Sequence, residues 1–545
     1  MRAKICGVKR KGFFKRASIA VICTLIIAGS LLGSGLLTGC NNSTQTTAET
    51  KVLRYGMSMG PGSIDPTNLV DITSWEMVRQ CYNGLTDRTP EGQTMAGLAK
   101  TYETTDGGMT YHFVLNQGVK FASGNELKAS DVKYTFEHDL DPTRDSSSGT
   151  YLMTIVGAQG IADGKTTDLA GFNIINDYEF TVSFTQPEFY FPEYCSIEAL
   201  YIVEEAAVKD KGENWWETMS AGTGPYILSE YIPDQKIVFT ANKNYFEGAP
   251  AITTLEFDIV AEDSTAMMMY NNNELDVISA PYAELENIKA DAVLSKELVE
   301  YPMSDMNYLG MTQDLYAPFK DIRVRQAISL VISPDDIANK VMQGTAYPLY
   351  GIIPVGSDGY NTDIQKPEYN PEKARELLKE AGYDANNPLP DITLYYVSAD
   401  EDNAVYISEQ LKNELGWNVK LECPDFSTVL SNLKSRNYAF FIFGSTSTFG
   451  DARSILSVSF YSNARRNFSN YVNSTYDSLL DQAATITSHD QRVALYQQAE
   501  KAVMDDFGFV PMYTDMNFLR VKPYVTGMKY SGLGMDIMDK VDIQK

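Results

Sequence analysis

From Ala17 to Leu37 the chain runs through twenty-one residues without a single charge. No other uncharged run in the 545 residues is long enough to cross a bilayer, and seven bases (Arg2, Lys4, Lys9, Arg10, Lys11, Lys15, Arg16) and no acid precede this one. The bases stay on the cytoplasmic side while the apolar run enters the membrane, so the rest of the chain is expected to fold outside the cytoplasm. The run closes on Leu37-Thr38-Gly39-Cys40, where two small residues open the bond before Cys40 to a peptidase.

That pattern resembles bacterial lipoprotein signals, in which the cysteine becomes residue one and carries a diacylglycerol. Two acyl chains moor a protein far better than one. The expectation is a removed signal over 1–39, lipidation at Cys40 and a flexible polar tether over 40–50 (NNSTQTTAET behind the cysteine), with folded structure from about Val52. An uncleaved membrane anchor would leave the cysteine at the cleavage point unexplained. The location implied is the extracytoplasmic face of the cell membrane.

Removing the leader takes seven of the 45 bases and none of the 71 acids, leaving 506 residues with 38 Lys+Arg. So acidic a chain does not attract nucleic acid. Its size exceeds what one hydrophobic core supports, so two or three lobes are expected. Cys6 and Cys23 go with the leader and Cys40 is lipidated; Cys81, Cys195 and Cys423 are too few and too scattered for a disulfide framework or a zinc cluster, and at most one bridge is open to them.

Along the mature chain, Val52 to Met59 reads as a strand running into the loop Pro61-Gly62, Asp65-Pro66. Tyr111, Phe113 and Leu115 share one face of a strand that, with Val119 to Phe121 and a turn at Gly118, predicts a hairpin. Ser130 is positioned to cap a helix carrying Val132 and Phe136. Asp321 caps a helix with Val324, Ala327, Ile328 and Val331 at helical spacing, and Ser333-Pro334 and Asn370-Pro371 open two more, the last closed by Gly382. Strand-like runs follow at Ile392 to Val397, Val419 to Leu421 and Tyr438 to Phe443. Alternating helices and strands make this an α/β protein, and no internal repeat is evident.

Eight motifs in order resemble the family 5 solute-binding proteins of ABC importers, the group of oligopeptide-, dipeptide- and nickel-binding proteins. They are Ile64-Asp65-Pro66, Tyr82-Asn83-Gly84-Leu85, Gly118-Val119-Lys120-Phe121-Ala122-Ser123-Gly124 and Ala129-Ser130-Asp131-Val132-Lys133-Tyr134-Thr135-Phe136 in the first part. Gly222-Thr223-Gly224-Pro225-Tyr226 and Asn242-Lys243-Asn244-Tyr245-Phe246 come next, then Pro318-Phe319-Lys320-Asp321-Ile322-Arg323-Val324-Arg325-Gln326-Ala327-Ile328 and the run from Tyr369 to Leu378. Most are scaffold: turns, caps and buried apolar positions that identify the fold more than they locate a ligand.

The resemblance implies a bilobal periplasmic-binding-protein-like fold of type II, in the large three-domain subclass. Lobe I would comprise 51–90, 222–306 and 507–545, an inserted domain 91–221, and lobe II 307–506. Two lobes joined by a hinge would close on a ligand and present it to membrane permease subunits. Peptides are the family's commonest cargo; a metal chelate, a saccharide or a signalling peptide are the alternatives. A monomer without cofactor or resident metal is expected, and no phosphate loop of an ATPase is present.

Carried onto this chain, the resemblance puts the ligand against Ser58, Met59 and Gly60, against Tyr308, Gly310 and Tyr350, against Phe443, Ser445 and Thr446, and against Tyr513. One departure bears on the ligand. Peptide-binding members carry an aspartate that pairs with the ligand's amino terminus, and here Thr448 stands in that place. A hydroxyl makes no equivalent charge-assisted bond. Asp451 is the nearest acid to stand in for it, and Arg453, Arg465 and Arg466 are candidates to meet a carboxylate instead.

Gly56-Met57-Ser58-Met59-Gly60 matches the Gly-x-Ser-x-Gly of serine hydrolases, but Pro61, Gly62 and Pro66 disfavour the helix that a nucleophile elbow needs. The histidines His112, His138 and His489 are scattered, so neither a triad nor a protein-made metal site is expected. Met267-Met268-Met269 reads as helix packing, not as a soft-metal cluster. Trp215-Trp216 and the 34 tyrosines fit a sugar cleft no better than any other wet cleft.

Overall fold

The computed structural model describes residues 50–544 apart from positions 70, 145, 147, 219 and 220. The leader, Cys40 and all but the last residue of the tether lie outside the described residues.

Among the described residues twelve strands join in one mixed sheet. Its order runs Val419–Glu422, Ile392–Tyr395, Phe440–Thr446, Asp305–Met311, Phe509–Val521, Val277–Ser279, Val52–Met57, Thr254–Ile259, Lys236–Ala241 and Tyr226–Ile232, with Leu298–Pro302 and Ala346–Pro348 also paired to Phe509–Val521. Val52–Met57 lies parallel to both its neighbours, as in a βαβ arrangement with helical crossovers. The thirteen-residue strand Phe509–Val521 holds the sheet together. Its first part pairs with Asp305–Met311 and Ala346–Pro348, its last part with Val277–Ser279 and Leu298–Pro302. Its burial is interrupted only at Asp515, Met516 and Asn517, where the partners change.

The apolar residues sort on either side of that joint. One core gathers side chains between Leu53 and Tyr301 and again between Leu519 and Ile543, with Phe449 reaching in from the other side against Tyr151 and Tyr194; two others use residues between Met306 and Tyr513. The protein is therefore bilobal, with two passages between lobes: the strand Phe509–Val521, and the short turn from Pro302 to Asp305. A four-stranded antiparallel sheet (Ala99–Glu103, Thr110–Leu115, Glu179–Ser183, Phe172–Asn176) packs its Phe113, Phe172 and Phe180 into the core of the first lobe.

Local chemistry explains where helices start. Asp321 accepts from the Arg323 N–H at 2.9 Å, Ser333 from Asp336 at 3.1 Å and Asn370 from Lys373 at 3.0 Å, so each supplies an acceptor for an orphan donor of the first turn. Two expectations fail. The helix Ala129–Leu140 starts one residue before Ser130: Lys128 is its N-cap, and the Asp131 carboxylate reaches back to the Lys128 N–H at 2.9 Å. The hairpin over 110–121 does not form, because Thr110–Leu115 already has a partner on each edge. The chain turns at Gly118, at φ +76°, and Phe121 instead donates to the Asn125 carbonyl at 2.9 Å.

Candidate functional site

Register places two strand ends at the joint from opposite lobes. Gly56 is level with Ile278, Ser279 with Leu519, so the loop after Met57 heads towards the position of Asp515. In the second lobe Thr446 is opposite Asp305, whose carboxylate accepts the Asp515 N–H at 2.9 Å. Both chain ends are carboxyl ends of strands at the point where the sheet changes partners, the usual place for a ligand in open α/β sheets.

The first-lobe side is Ser58, Met59 and Gly60. Ser58 is exposed, Met59 is 63% exposed, and Gly60 lies near Asp234. No helix follows until Ile72–Cys81, so Ser58 is not on a nucleophile elbow. The three histidines are engaged elsewhere: His112 with Glu179 at 2.8 Å, His489 with Asp358 at 2.7 Å, and His138 edge-on to the Trp215 ring.

The second-lobe side is a cavity of about 670 Å³ beside the end of Phe440–Thr446. Phe443, Gly444 and Thr446 line it, with Phe468 packed edge-on against Phe443 at 5.3 Å. The helix Phe426–Lys434 supplies the opposite wall. Its Val429 and Leu433 point into the core, which turns Phe426, Leu430 and Lys434, at i, i+4 and i+8, to the cavity. Arg465 and Arg466 complete the rim. Phe426, Leu430, Lys434 and Phe468 were not anticipated; an exposed phenylalanine opening an amphipathic helix is the signal in the sequence that could have found them.

Several expected ligand residues lie elsewhere. Tyr308 is 1% exposed and packs against Phe441, Phe460 and Phe509, so it belongs to the core. Gly310 is covered by the Phe441 ring, which a Cβ would strike at 2.3 Å. Tyr513 is buried with its hydroxyl donating to Asp400 at 3.0 Å. Tyr350 donates to Asp335 at 3.2 Å, and burial and that carboxylate push its hydroxyl up to about 12. Ser445 is buried against Ser459 at 2.6 Å. None of these five lines the cavity.

Thr448 is held through its backbone. Its carbonyl accepts from the buried Arg88 guanidinium at 3.3 Å. The Asp451 carboxylate accepts the Ser454 N–H at 3.0 Å and caps the helix Ala452–Ser459, and burial raises its pKa although Arg453 pulls the other way. It lines a different cavity, of about 270 Å³, together with Glu193, Asp358, His489 and Arg492. Arg453 lies 3.3 Å over the Tyr190 ring and donates to the Tyr194 hydroxyl at 2.8 Å, so it too is engaged away from the joint.

Beside the cavity the two acids at the joint crowd each other. Burial, and then the Asp515 charge, push the Asp305 carboxyl up to about 8. Among the described residues no group of three or more His, Cys, Asp or Glu is placed to hold a metal ion. Met267 and Met269 pack on Tyr270, Leu275 and Ile278, while Met268 is exposed. No helix among the described residues is long and apolar enough to cross a membrane, and Cys81, Cys195 and Cys423 are free thiols.

The model of the bacterial extracellular solute-binding proteins, family 5 (Middle), matches residues 93–467. The chain belongs to this family. Family 5 proteins are the solute receptors of ABC transporters and carry out no chemistry on what they bind, so the Gly-x-Ser-x-Gly around Ser58 is incidental. Among curated family 5 relatives, the probable deoxycholate-binding periplasmic protein YgiS of Escherichia coli is 29% identical over 493 residues, covering 88% of this chain and 91% of the relative. The periplasmic oligopeptide-binding protein OppA of Escherichia coli is 28% identical over 524 residues, covering 93% and 94%. Among solved structures, the murein tripeptide-binding protein MppA of Escherichia coli in its unliganded open form superposes with a TM-score of 0.83 at 24% identity, over 91% of this chain and 98% of that one.

Proposed function

We propose that this family 5 protein is a lipid-anchored receptor on the extracytoplasmic face of the cell membrane, which captures peptides at the joint between its lobes and hands them to the permease of an ABC importer. The observation that carries this reading is the single strand Phe509–Val521 shared by both lobes, with the strand that leads into Ser58, Met59 and Gly60 and the strand that ends at Thr446 both running towards the point where it changes partners. Lobe I is assigned to 51–90, 222–306 and 507–545, the inserted domain to 91–221 and lobe II to 307–506. A ligand touching both lobes favours the closed arrangement by its differential affinity for it. Cys40 is the acylated residue, and the protein acts as a monomer. OppA, an oligopeptide binder by name, is similar over 93% of the chain, which favours peptides.

A second reading keeps the fold and changes the cargo. YgiS, described as a probable deoxycholate binder, is as similar as OppA, and Thr448 lacks the charge to hold a ligand's free amine. Native mass spectrometry of freshly purified protein separates the two: a ladder of peptide masses supports the first, a single non-peptide mass the second. Spectra of the denatured, membrane-extracted protein should give a chain beginning at acylated Cys40. Retention of residues 1–39 would exclude the anchor.

A further inference from the structure

The cavity beside Thr446 gathers charge of one sign. Lys434, Arg465 and Arg466 stand on its rim, and no acid lines it. Acids outnumber bases 71 to 45 in this chain, and Arg492 on the rim of the smaller cavity is paired with Glu193 at 2.9 Å. Lys434, Arg465 and Arg466 form no ion pair among the described residues.

Between those bases the surface is apolar and open. Phe426 is 60% exposed and Val458 42%, and Phe443, Leu430 and Phe468 form the floor. Exposed aromatic area of this kind is costly to leave in water at roughly 25 cal/mol per Å², and three unpaired cations around it repel one another. A volume of about 670 Å³ falls within the usual span of small-ligand sites, roughly 300–1,000 Å³. A surface that only solvated the protein would carry the acids that dominate the rest of the chain.

We propose that this cavity seats the anionic end of an amphipathic ligand: a carboxylate between Arg465, Arg466 and Lys434, with an apolar body over Phe443, Phe468 and Phe426. Two adjacent guanidiniums match the planar, two-oxygen geometry of a carboxylate, and Lys434 adds a mobile point charge from the facing helix. This deepens the proposed solute capture and rests on it for the location of the site. The carboxylate has two possible sources, the C-terminus of an apolar peptide or a non-peptide amphiphilic acid. The same contacts serve both.

The test is a titration by intrinsic fluorescence and calorimetry of the full chain, wild type and Arg465→Gln/Arg466→Gln. Three probes are used: a pool of short Leu-, Ala- and Phe-containing peptides as free acids, the same pool as C-terminal amides, and decanoate. Both arginines are exposed, so the double variant is expected to keep the wild-type near-ultraviolet circular dichroism. Free acids binding at least roughly tenfold more tightly than amides, with that preference lost in the variant, support the proposal together with peptide capture. Decanoate binding that the variant loses, with no peptide bound, supports the proposal and overturns the peptide reading. Acids and amides binding alike, in wild type and variant, overturn the proposal and leave peptide capture standing. Binding of no probe overturns it as well. Should the double variant misfold, Lys434→Gln on the separate helix Phe426–Lys434 serves in its place, with a smaller loss in the same direction.

Discussion

Asp305 shows what one residue at the joint does to the whole. Burial and the neighbouring Asp515 charge push its carboxyl up to about 8, against about 3.9 in an unfolded chain, so the native state holds its proton more tightly. With more protons bound in the native state, stability from this group falls as pH rises between about 4 and 8 and is level above that. Asp305→Asn keeps an oxygen for the Asp515 N–H and removes the charge. We expect the variant to melt higher than wild type at pH 8.5, with the gap narrowing towards pH 4.5; parallel melting profiles across that range would refute the account. Arg453 makes the opposite point about legibility. In sequence it looks like a free carboxylate partner, yet Tyr190 and Tyr194, more than 250 residues away, claim it. Nothing local in the chain announces such a contact.

At the level of elements, caps were the most readable part of the sequence, because an Asp, Ser or Asn before a helix acts on N–H groups two or three residues away. Asp321, Ser333 and Asn370 all act where the spacing put them. The hairpin at 110–121 failed for the converse reason: strand edges are filled by Glu179–Ser183, some seventy residues distant, and a local pattern cannot register that competition. The ligand segments divided the same way. Thr446 ends a strand at the joint and borders the cavity together with Phe443, while Tyr308, level with Phe443 on the neighbouring strand, and Gly310 are packed over by Phe441. Asp451 belongs here as a cap. Asp451→Ala should cost about 1–2 kcal/mol of stability, by loss of the N-cap acceptor, while Asp451→Asn should lose little of it. Ligand affinity should hold in both; a large loss of affinity in Asp451→Asn at unchanged stability would mean that the carboxylate meets the ligand after all.

For the whole molecule, composition and length foretold more than one lobe, and the cores divide at the joint between Pro302 and Met306 and along Asp515 to Asn517. Two passages this short leave few torsions to absorb a closing motion, so the lobes should turn as rigid bodies. Small-angle scattering with saturating peptide pool should show a smaller radius of gyration than the free protein. An unchanged profile with a ligand proven bound by calorimetry would rule out closure.

The threading of the sheet also dictates an order of assembly. Val52–Met57 needs Thr254–Ile259 and Val277–Ser279 beside it, and Val277–Ser279 in turn needs Leu519 to Val521 from near the end of the chain. Pairings separated by several hundred residues form late, since they wait on closure of very large loops. Val277–Ser279 therefore waits for its last neighbour until the chain is nearly complete, although Val52–Met57 has both of its own by residue 279. The open edge of the half-built sheet stays unpaired for that interval, and truncations close to the carboxyl end should be as damaging as any at the beginning.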